Sequence, residues 1–559
     1  MRPALSALRQ FLTQNKLDGF ILPRGDRYLG EYVAPHDEML AWLTGFTGSA
    51  GFAIVTQKSA HLFTDGRYQT QGQQELQKSG FELRHSVKDK FDEDLTAAFP
   101  NGGILAFDPW LHSIDWHRQT VKKFNTTKWQ IEAIAQNPIE NLWQNRPIPQ
   151  KNGAQIHPLK FAGETSADKC ARLGSELAQQ NIEAEFINDP TLVAWLLNIR
   201  GRDVPHIPVV HARAMLHASG RAELFIDPRK LNIPLDPHID VRDPDDMAQS
   251  ISSLQGKTIR LPANNTPYAI LQMAQDANIK TDTAPSGIML ARAIKNPIEQ
   301  NGMRNAHRRD AIALAKAFKE FPSLVANELQ IAQQVASHRS HHEHYVEESF
   351  PAIVGWRGNS AIVHYRPDDK NSAKISGSGI LLIDSGGQYL DGTTDVTRTI
   401  TIGTPTAWQK EIYTRVLKGH LAISRAQFPI GTTGSQLDTL ARQYLWEVGL
   451  DYDHGTGHGV GSFLSVHEGP QSISNRANST ALVPGMVLSN EPGCYIENEF
   501  GVRIENLVMV TPSAQTGFLC FETLTFVAYD ENLIEKSLLT EAELEQIKIY
   551  HQRVQQIIQ

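Results

Sequence analysis

The chain runs to 559 residues, with 41% hydrophobic and 20% charged side chains and a formal net charge of -8. Its length exceeds what a single core organises and points to about three domains, and its composition excludes a disordered or fibrous chain. The absence of any lysine or arginine run argues against a nucleic-acid partner, and no stretch approaches the roughly 20 apolar residues of a membrane span; three scattered cysteines, Cys170, Cys494 and Cys520, fit a reducing cytoplasm rather than a disulfide framework.

The N-terminus, MRPALSALRQFLTQNKLDGF, is amphipathic and reads as a surface helix rather than a signal peptide. LDGFILPRG (17–25) then reads as a strand, and SAGFAIVTQKSAHLFTDGRY (49–68) as two more, so the first third has an α/β pattern. NLWQNRPIPQKNG (141–153) is polar and proline-bearing, as expected of a linker. Beyond it, AWLLNIRG (194–201) resembles AWLTGFTG (41–48), and each is followed within about 30 residues by a strand ending in Asp, LFID and LFTD. Duplication is the simplest account; chance likeness between short apolar motifs is the alternative. From residue 296, NPIEQNGMRNAHRRDAIALAKAFKEF predicts a long amphipathic helix. It is followed by strands in SGILLID (378–384), DVTRTITIG (395–403), GMVLSNEPG (485–493) and VRIENLVMVT (502–511). The expected organisation is two related α/β domains, 1–150 and 151–295, and a third domain over 296–559 in which helices and strands mix as α+β and where any chemistry should sit.

Chemistry-bearing residues concentrate on those last strands. Asp384 ends one strand and Asp395 opens the next, so an antiparallel pair brings both to one place; Glu491 ends GMVLSN, and Glu505 lies in the apolar run VRIEN. A carboxylate in such a strand needs a partner, because an unpaired buried charge is costly. Taken singly, each has a structural reading: a turn for Asp384 and Glu491, a hairpin for Asp391 and Asp395, an ion pair with Arg503 or Arg398 for Glu505. Together with His458 they make five hard or borderline ligands, and four negative charges match two divalent cations. Such cations, about 3.5 to 4 Å apart, acidify a shared water into a nucleophile near neutral pH. His458 belongs to HGTGHGVGSFLSVHEGP (454–470), with His454 and His467, where the glycines predict a flexible loop rather than a zinc helix. SHRSHHEHY (337–345) offers four more histidines without the HExxH order and reads as a solvated helix end.

LLIDSGGQYLDGTTDVTRT, HGTGHGVGSFLSVHEGP, NEPGCY and FGVRIEN together resemble the Xaa-Pro aminopeptidases, the aminopeptidase P group of pita-bread metallopeptidases, in their long three-domain form. FTDGRY, NLWQNRP and the IKIYHQRV tail extend the resemblance over nearly the whole chain. It implies that Asp384, Asp395, His458, Glu491 and Glu505 hold two metals, manganese first with zinc or cobalt as alternatives, Asp395 and Glu505 bridging. It implies that His364 contacts the substrate or its tetrahedral intermediate, that His454 and His467 line the pocket, and that Arg67 and Arg503 lie near the substrate. Glu491 and His467 are the groups expected to move protons. Phe463, Leu464 and Val466 are expected to wall a proline pocket. The implied activity is removal of the N-terminal residue from small peptides whose second residue is proline, by a cytoplasmic homodimer. A prolidase cutting Xaa-Pro dipeptides would use the same ligands, whereas a ligand-less binding module or a methionine aminopeptidase fits the complete ligand set and the two preceding domains poorly. FETLTF (521–526) departs from the family pattern, with Thr523 where a proline is expected, in packing and not at a ligand.

Overall fold

Strand Gly19–Pro23 forms at GFILP because every side chain but the last is buried, and it becomes an inner strand of a six-stranded sheet. The structure, a computed structural model, describes residues 2–321 and 326–559. These divide into two compact units: the chain up to His157 together with Glu164–Ile288, and Pro158–Gly163 together with Met289–Gln559.

The first unit contains two sheets of the same topology. In one the order is Glu82–His85, Ala60–Thr64, Phe52–Thr56, Gly19–Pro23, Gly103–Phe107, Trp129–Ala133; in the other it is Ile239–Arg242, Ala222–Phe225, Arg213–His217, Ala184–Ile187, Thr258–Arg260, Lys280–Asp282. In both, the third and fourth strands pair antiparallel, as do the second and third, while the three outer pairings are parallel. The repeated motifs occupy equivalent places. AWLT lies in helix Met39–Thr44 and AWLL begins in helix Pro190–Leu196, each between the first strand and the hairpin of its sheet. Each LF strand ends in an Asp that caps a short 3-10 turn. The N-terminal helix, Pro3–Gln14, buries Leu5, Leu8 and Leu12, as its amphipathic spacing predicts.

In the second unit, helix Pro297–Glu320 starts at a capping box between Asn296 and Glu299, with Pro297 in the first turn where its missing N–H costs nothing. Strand Gly379–Ser385 lies between Ile353–Trp356 and Val396–Ile402, all antiparallel. A six-stranded sheet runs Gln427–Pro429, Phe518–Thr523, Asn506–Pro512, Val487–Asn490, Gly457–Gly459, Glu468–Ile473. The single strand expected over VRIENLVMVT is two. Phe500–Arg503 pairs with Gly493–Ile496, whereas Asn506–Pro512 pairs with Val487–Asn490 and Phe518–Thr523. The backbone changes partners at Ile504 and Glu505, and the Glu505 amide donates to the Thr397 carbonyl instead.

Glu185, on the strand Ala184–Ile187, is 1% exposed; it accepts a short hydrogen bond from Ser286 Oγ, and its Oε2 accepts none. Burial raises its carboxyl to about 7, against opposing help from Ser286 and Arg260. Since this folded value lies above the unfolded one, the unfolded chain ionises first as pH rises. Stability is therefore full below about pH 4.5 and declines through pH 7. Glu185→Gln, which mimics the protonated form, is expected to match the parent in thermal melts near pH 4. At pH 8 it should exceed the parent; a constant difference across that range would refute the assignment.

Candidate metal centre

The register of two strands builds half of the site. Asp384 lies opposite Thr397 and Ser385 opposite Val396, which sets Asp384 and Asp395 at the same end of one antiparallel ladder. Glu505 joins them at the strand break, where its Oε2 accepts from Thr397 Oγ1 at 2.9 Å. Its main-chain carbonyl takes a 2.6 Å bond from Arg398 Nη1. Arg398 thus holds the Glu505 backbone rather than its carboxylate, and its other nitrogens reach Asn506 Oδ1, the Val527 carbonyl and Tyr550 Oη on the C-terminal helix.

His458 is on a short strand, Gly457–Gly459, and not on the flexible loop that its glycines suggested. The glycines serve close backbone approach: a Cβ on Gly457 would lie 1.9 Å from the Ser489 carbonyl oxygen, and one on Gly459 would lie 2.5 Å from Gln471 Nε2. His458 Nδ1 is 2.9 Å from the Gly459 carbonyl oxygen, so that Nδ1–H donates there and the Nε2 lone pair faces the carboxylates. Nε2 is 3.5 Å from Asp395 Oδ2 and 3.5 Å from Glu491 Oε1. Ligand atoms of Asp395, His458 and Glu505 all lie within 4.8 Å of one another. Ser489 ties this side together, accepting from the His458 amide and donating to Glu491 Oε1.

Three buried oxygens of this cluster accept no hydrogen bond: Asp384 Oδ1, Asp395 Oδ1 and Glu505 Oε1. Orphaned buried acceptors are rare, and each costs about 1–3 kcal/mol or more when charged. Burial, followed by repulsion from Glu505, Asp384 and Glu491, drives the Asp395 carboxyl well above its ordinary range. Burial and then Glu491 and Asp384 do the same to Glu505. Glu491 is raised to about 7, by burial first and against the opposing pull of Arg503. Bare oxygens, one imidazole and no thiolate are the donor set of hard or borderline divalent cations, whose charge would reverse these shifts. The residues therefore fit a metal centre.

Arg503, 2% exposed, is the cation of the cluster. Its Nη2 donates to Asp384 Oδ2 at 2.7 Å, its Nη1 to Tyr495 Oη at 2.7 Å and its Nε to Thr397 Oγ1 at 3.1 Å. Tyr495 Oη is in turn 2.9 Å from His454 Nε2, while His454 Nδ1 lies 2.8 Å from the Gly455 carbonyl. A chain of hydrogen bonds thus runs from His454 through Tyr495 and Arg503 to Asp384. Tyr495 and Thr397 escaped the sequence reading although both lie inside the quoted motifs, because neither is a ligand type. His467 stacks edge-on against His458 at a centroid distance of 4.3 Å. The next residue, Glu468, is buried between Lys295 Nζ and Arg292 Nε and anchors that turn. His364 follows Val363, whose carbonyl accepts from Arg503 Nη1 at 3.4 Å.

Arg67 belongs to the first unit, where its Nε and Nη2 both grip Asp65. Arg229 grips Asp227 in the same way in the second sheet. The fork is a repeated feature of the duplicated fold. At the decoy histidines, His338 pairs with Glu320, and His341 Nδ1 meets the Ser337 carbonyl at a helix end.

Residues 301–512 match the family described as metallopeptidase family M24, residues 5–134 and 145–299 each match a creatinase/prolidase N-terminal domain, and residues 517–559 match the C-terminal region of peptidase M24. The chain is 37% identical to aminopeptidase P2 of Arabidopsis thaliana, over 98% of this chain and 85% of that one. The chain belongs to the aminopeptidase P family. Its two N-terminal α/β domains are the related pair of that family, and its second unit is the pita-bread catalytic domain. Among solved structures, an X-prolyl aminopeptidase of Caenorhabditis elegans, described as a cytosolic enzyme with a di-nuclear active site, superposes with a TM-score of 0.94 at 32% identity, covering 99% of this chain and 95% of that one. A prolidase of Pyrococcus horikoshii gives 0.52 at 26% identity and covers 65% of this chain and 99% of its own.

If the orphaned oxygens belong to metals, chelation should lower the melting temperature by about 5 °C or more, and manganese should restore it. Asp395→Asn should melt no lower than the chelated parent, gain nothing from manganese and retain less metal by elemental analysis; a full manganese response in that variant would refute the centre. Tyr495→Phe interrupts the His454 chain at one oxygen. It should keep its metal content while kcat on a cleavable peptide falls by about tenfold. Unchanged kcat would remove the chain from the mechanism.

Proposed function

We propose that this protein is a metal-dependent aminopeptidase that removes the N-terminal residue from peptides whose second residue is proline. The observation that carries the reading is the likeness to an X-prolyl aminopeptidase over 99% of the chain, both N-terminal sheets included. A prolidase accounts for 65% of the chain and leaves the rest without a counterpart.

Asp384, Asp395, His458, Glu491 and Glu505 are the residues that would hold two divalent cations. Manganese suits this oxygen-rich set with one imidazole best, with zinc and cobalt as alternatives. When bound, the cations supply an acidified water and polarise the carbonyl that it attacks. The protein's own groups do the rest. Glu491, held by Ser489, and His467, beside His458, are placed to move protons to and from the reacting atoms. The leaving proline nitrogen is a tertiary amide in the substrate and must gain a proton to depart. His364 donates an N–H to the substrate's carbonyl oxygen. His454 supports Tyr495 and, through Arg503, keeps Asp384 oriented. Arg503 orients Asp384 and Tyr495 beside the substrate site. Arg67 holds its own turn through Asp65.

Phe463, Leu464 and Val466, all buried, wall the proline pocket. Phe463 holds a φ of 50°, a left-handed backbone that a bulky residue adopts only where its surroundings impose it. Recognition of proline through shape follows from its ring, which is apolar and leaves the amide without an N–H. The three cysteines are free, and two are buried, in keeping with a cytoplasmic protein; no helix among the described residues is long and apolar enough to cross a membrane. A homodimer is the assembly that the family resemblance implies.

Manganese-loaded protein is expected to release arginine from Arg-Pro-Pro but not from Arg-Ala-Ala or the dipeptide Arg-Pro. Metal-stripped protein and Glu491→Ala should release none. Preference for the dipeptide would make the protein a prolidase, and equal cleavage of Arg-Ala-Ala would overturn proline specificity.

A further inference from the structure

Glu328, the first residue of helix Glu328–Ser340, is fully buried on the far side of the loop that carries His364. Its carboxylate is met by hydrogen-bond donors from across that loop. The Trp356 amide donates to Oε1 at 2.6 Å, the Ala373 amide to Oε2 at 2.6 Å, and Asn359 Nδ2 lies 3.0 Å from Oε1 and 3.2 Å from Oε2. Tyr365 Oη is 2.8 Å from Oε2 and 2.7 Å from the Asn371 carbonyl, so its proton is shared between the two. These donors mark both ends and the middle of residues 356–373. That segment joins strand Ile353–Trp356 to strand Gly379–Ser385 and contains, as regular structure, only the 3-10 turn Arg357–Ala361.

The same segment touches the metal centre from its other side. Arg503 Nη1 takes the Val363 carbonyl, and Ser360 Oγ accepts from the Gly501 amide at 2.7 Å, two residues before Arg503. Tyr365 packs with Ile353, Leu382 and Tyr495 in one small apolar cluster. His364 is therefore held between two anchors one residue away on each side: Val363 on Arg503 and Tyr365 on Glu328. A main-chain amide donates to each carboxylate oxygen, so an amide side chain at this position would turn its NH2 group towards at least one N–H.

We propose that Glu328 is a positioning residue for His364: by gathering Trp356, Asn359, Tyr365 and Ala373 it fixes the loop that presents the imidazole to the substrate. The proposal rests on the reading of His364 given above. Its effect belongs in the chemical step, since a displaced imidazole still leaves the substrate pocket and the metal ligands in place.

The experiment is a double-mutant cycle on the manganese-loaded full chain with Arg-Pro-Pro as substrate: Glu328→Gln, Tyr365→Phe, His364→Ala, and each of the first two combined with the third. Glu328→Gln is expected to lower kcat by about tenfold or more with KM within about threefold, and Tyr365→Phe to give the same split with a smaller loss. In the His364→Ala background each should cost less than about twofold, because the group they position is gone. Losses that multiply in the double variants would overturn the proposal while leaving His364 as a substrate contact. If His364→Ala alone leaves kcat and KM unchanged, the role of His364 falls and this proposal falls with it. Should Glu328→Gln fail to fold, the Tyr365→Phe arm of the cycle decides by the same criterion.

Discussion

Four carboxylates crowded against one another are the constraint that the second unit is built to bear. Asp384, Asp395 and Glu505 are buried and Glu491 is half-buried beside them, in an interior where each ion costs several kcal/mol to desolvate, and one guanidinium, Arg503, stands among them. Hydrogen bonds answer only part of the charge, and three oxygens stay bare. The surrounding strands are fixed by contacts that bypass those oxygens: Arg398 grips the Glu505 carbonyl, Thr397 and Ser489 orient one carboxylate oxygen each, and Arg503 takes the outer oxygen of Asp384. The protein thus positions these side chains by their backbones and outer atoms and leaves the inner atoms bare.

That arrangement explains why backbone irregularity concentrates at the site. Glu505 could not point inward from an uninterrupted ladder while its amide paired with the Thr397 carbonyl, so the strand breaks there and its two halves choose different partners. Strand Gly457–Gly459 carries His458 beside Val487–Asn490 only because its glycines admit the neighbouring carbonyl and side chain. Phe463, a few residues on, holds a left-handed backbone that glycine would adopt without cost.

The parts legible in the sequence were those written in a period or in residue chemistry. The strand ending at Asp384, the capped helix from Pro297 and the duplicated sheets all show in hydrophobic pattern, cap residues or repeated motifs. The four carboxylates of the candidate centre stood out because carboxylates inside apolar strands need an explanation, and His458 stood out by residue type. What stayed hidden depends on contacts between distant segments. The glycines of GTGHGVG read as freedom, yet their meaning is the proximity of Ser489 and Gln471. Arg67 and Arg503 both read as arginines near a substrate, and only coordinates show that one closes a local turn and the other holds Asp384. Tyr495 and Glu328 carry no motif of their own, and their partners lie from 8 to 45 residues away along the chain.

A common logic joins the two sides of His364 and the two sides of His454. In each case an imidazole is flanked by a group that reaches Arg503, so one guanidinium sets the position of Asp384, the Tyr495 hydroxyl and the Val363 carbonyl together. A planar donor fork can satisfy three acceptors in fixed directions, which a lysine ammonium cannot reproduce. The second anchor of each histidine is independent of the first: Glu328 through Tyr365 for His364, the Gly455 carbonyl for His454. Shared anchoring at Arg503 correlates these groups with the candidate ligand Asp384, and a second, separate anchor lies beside each histidine. A cluster oriented by one shared guanidinium gains from that division, because an error in the position of Asp384 and an error in that of either histidine would otherwise add.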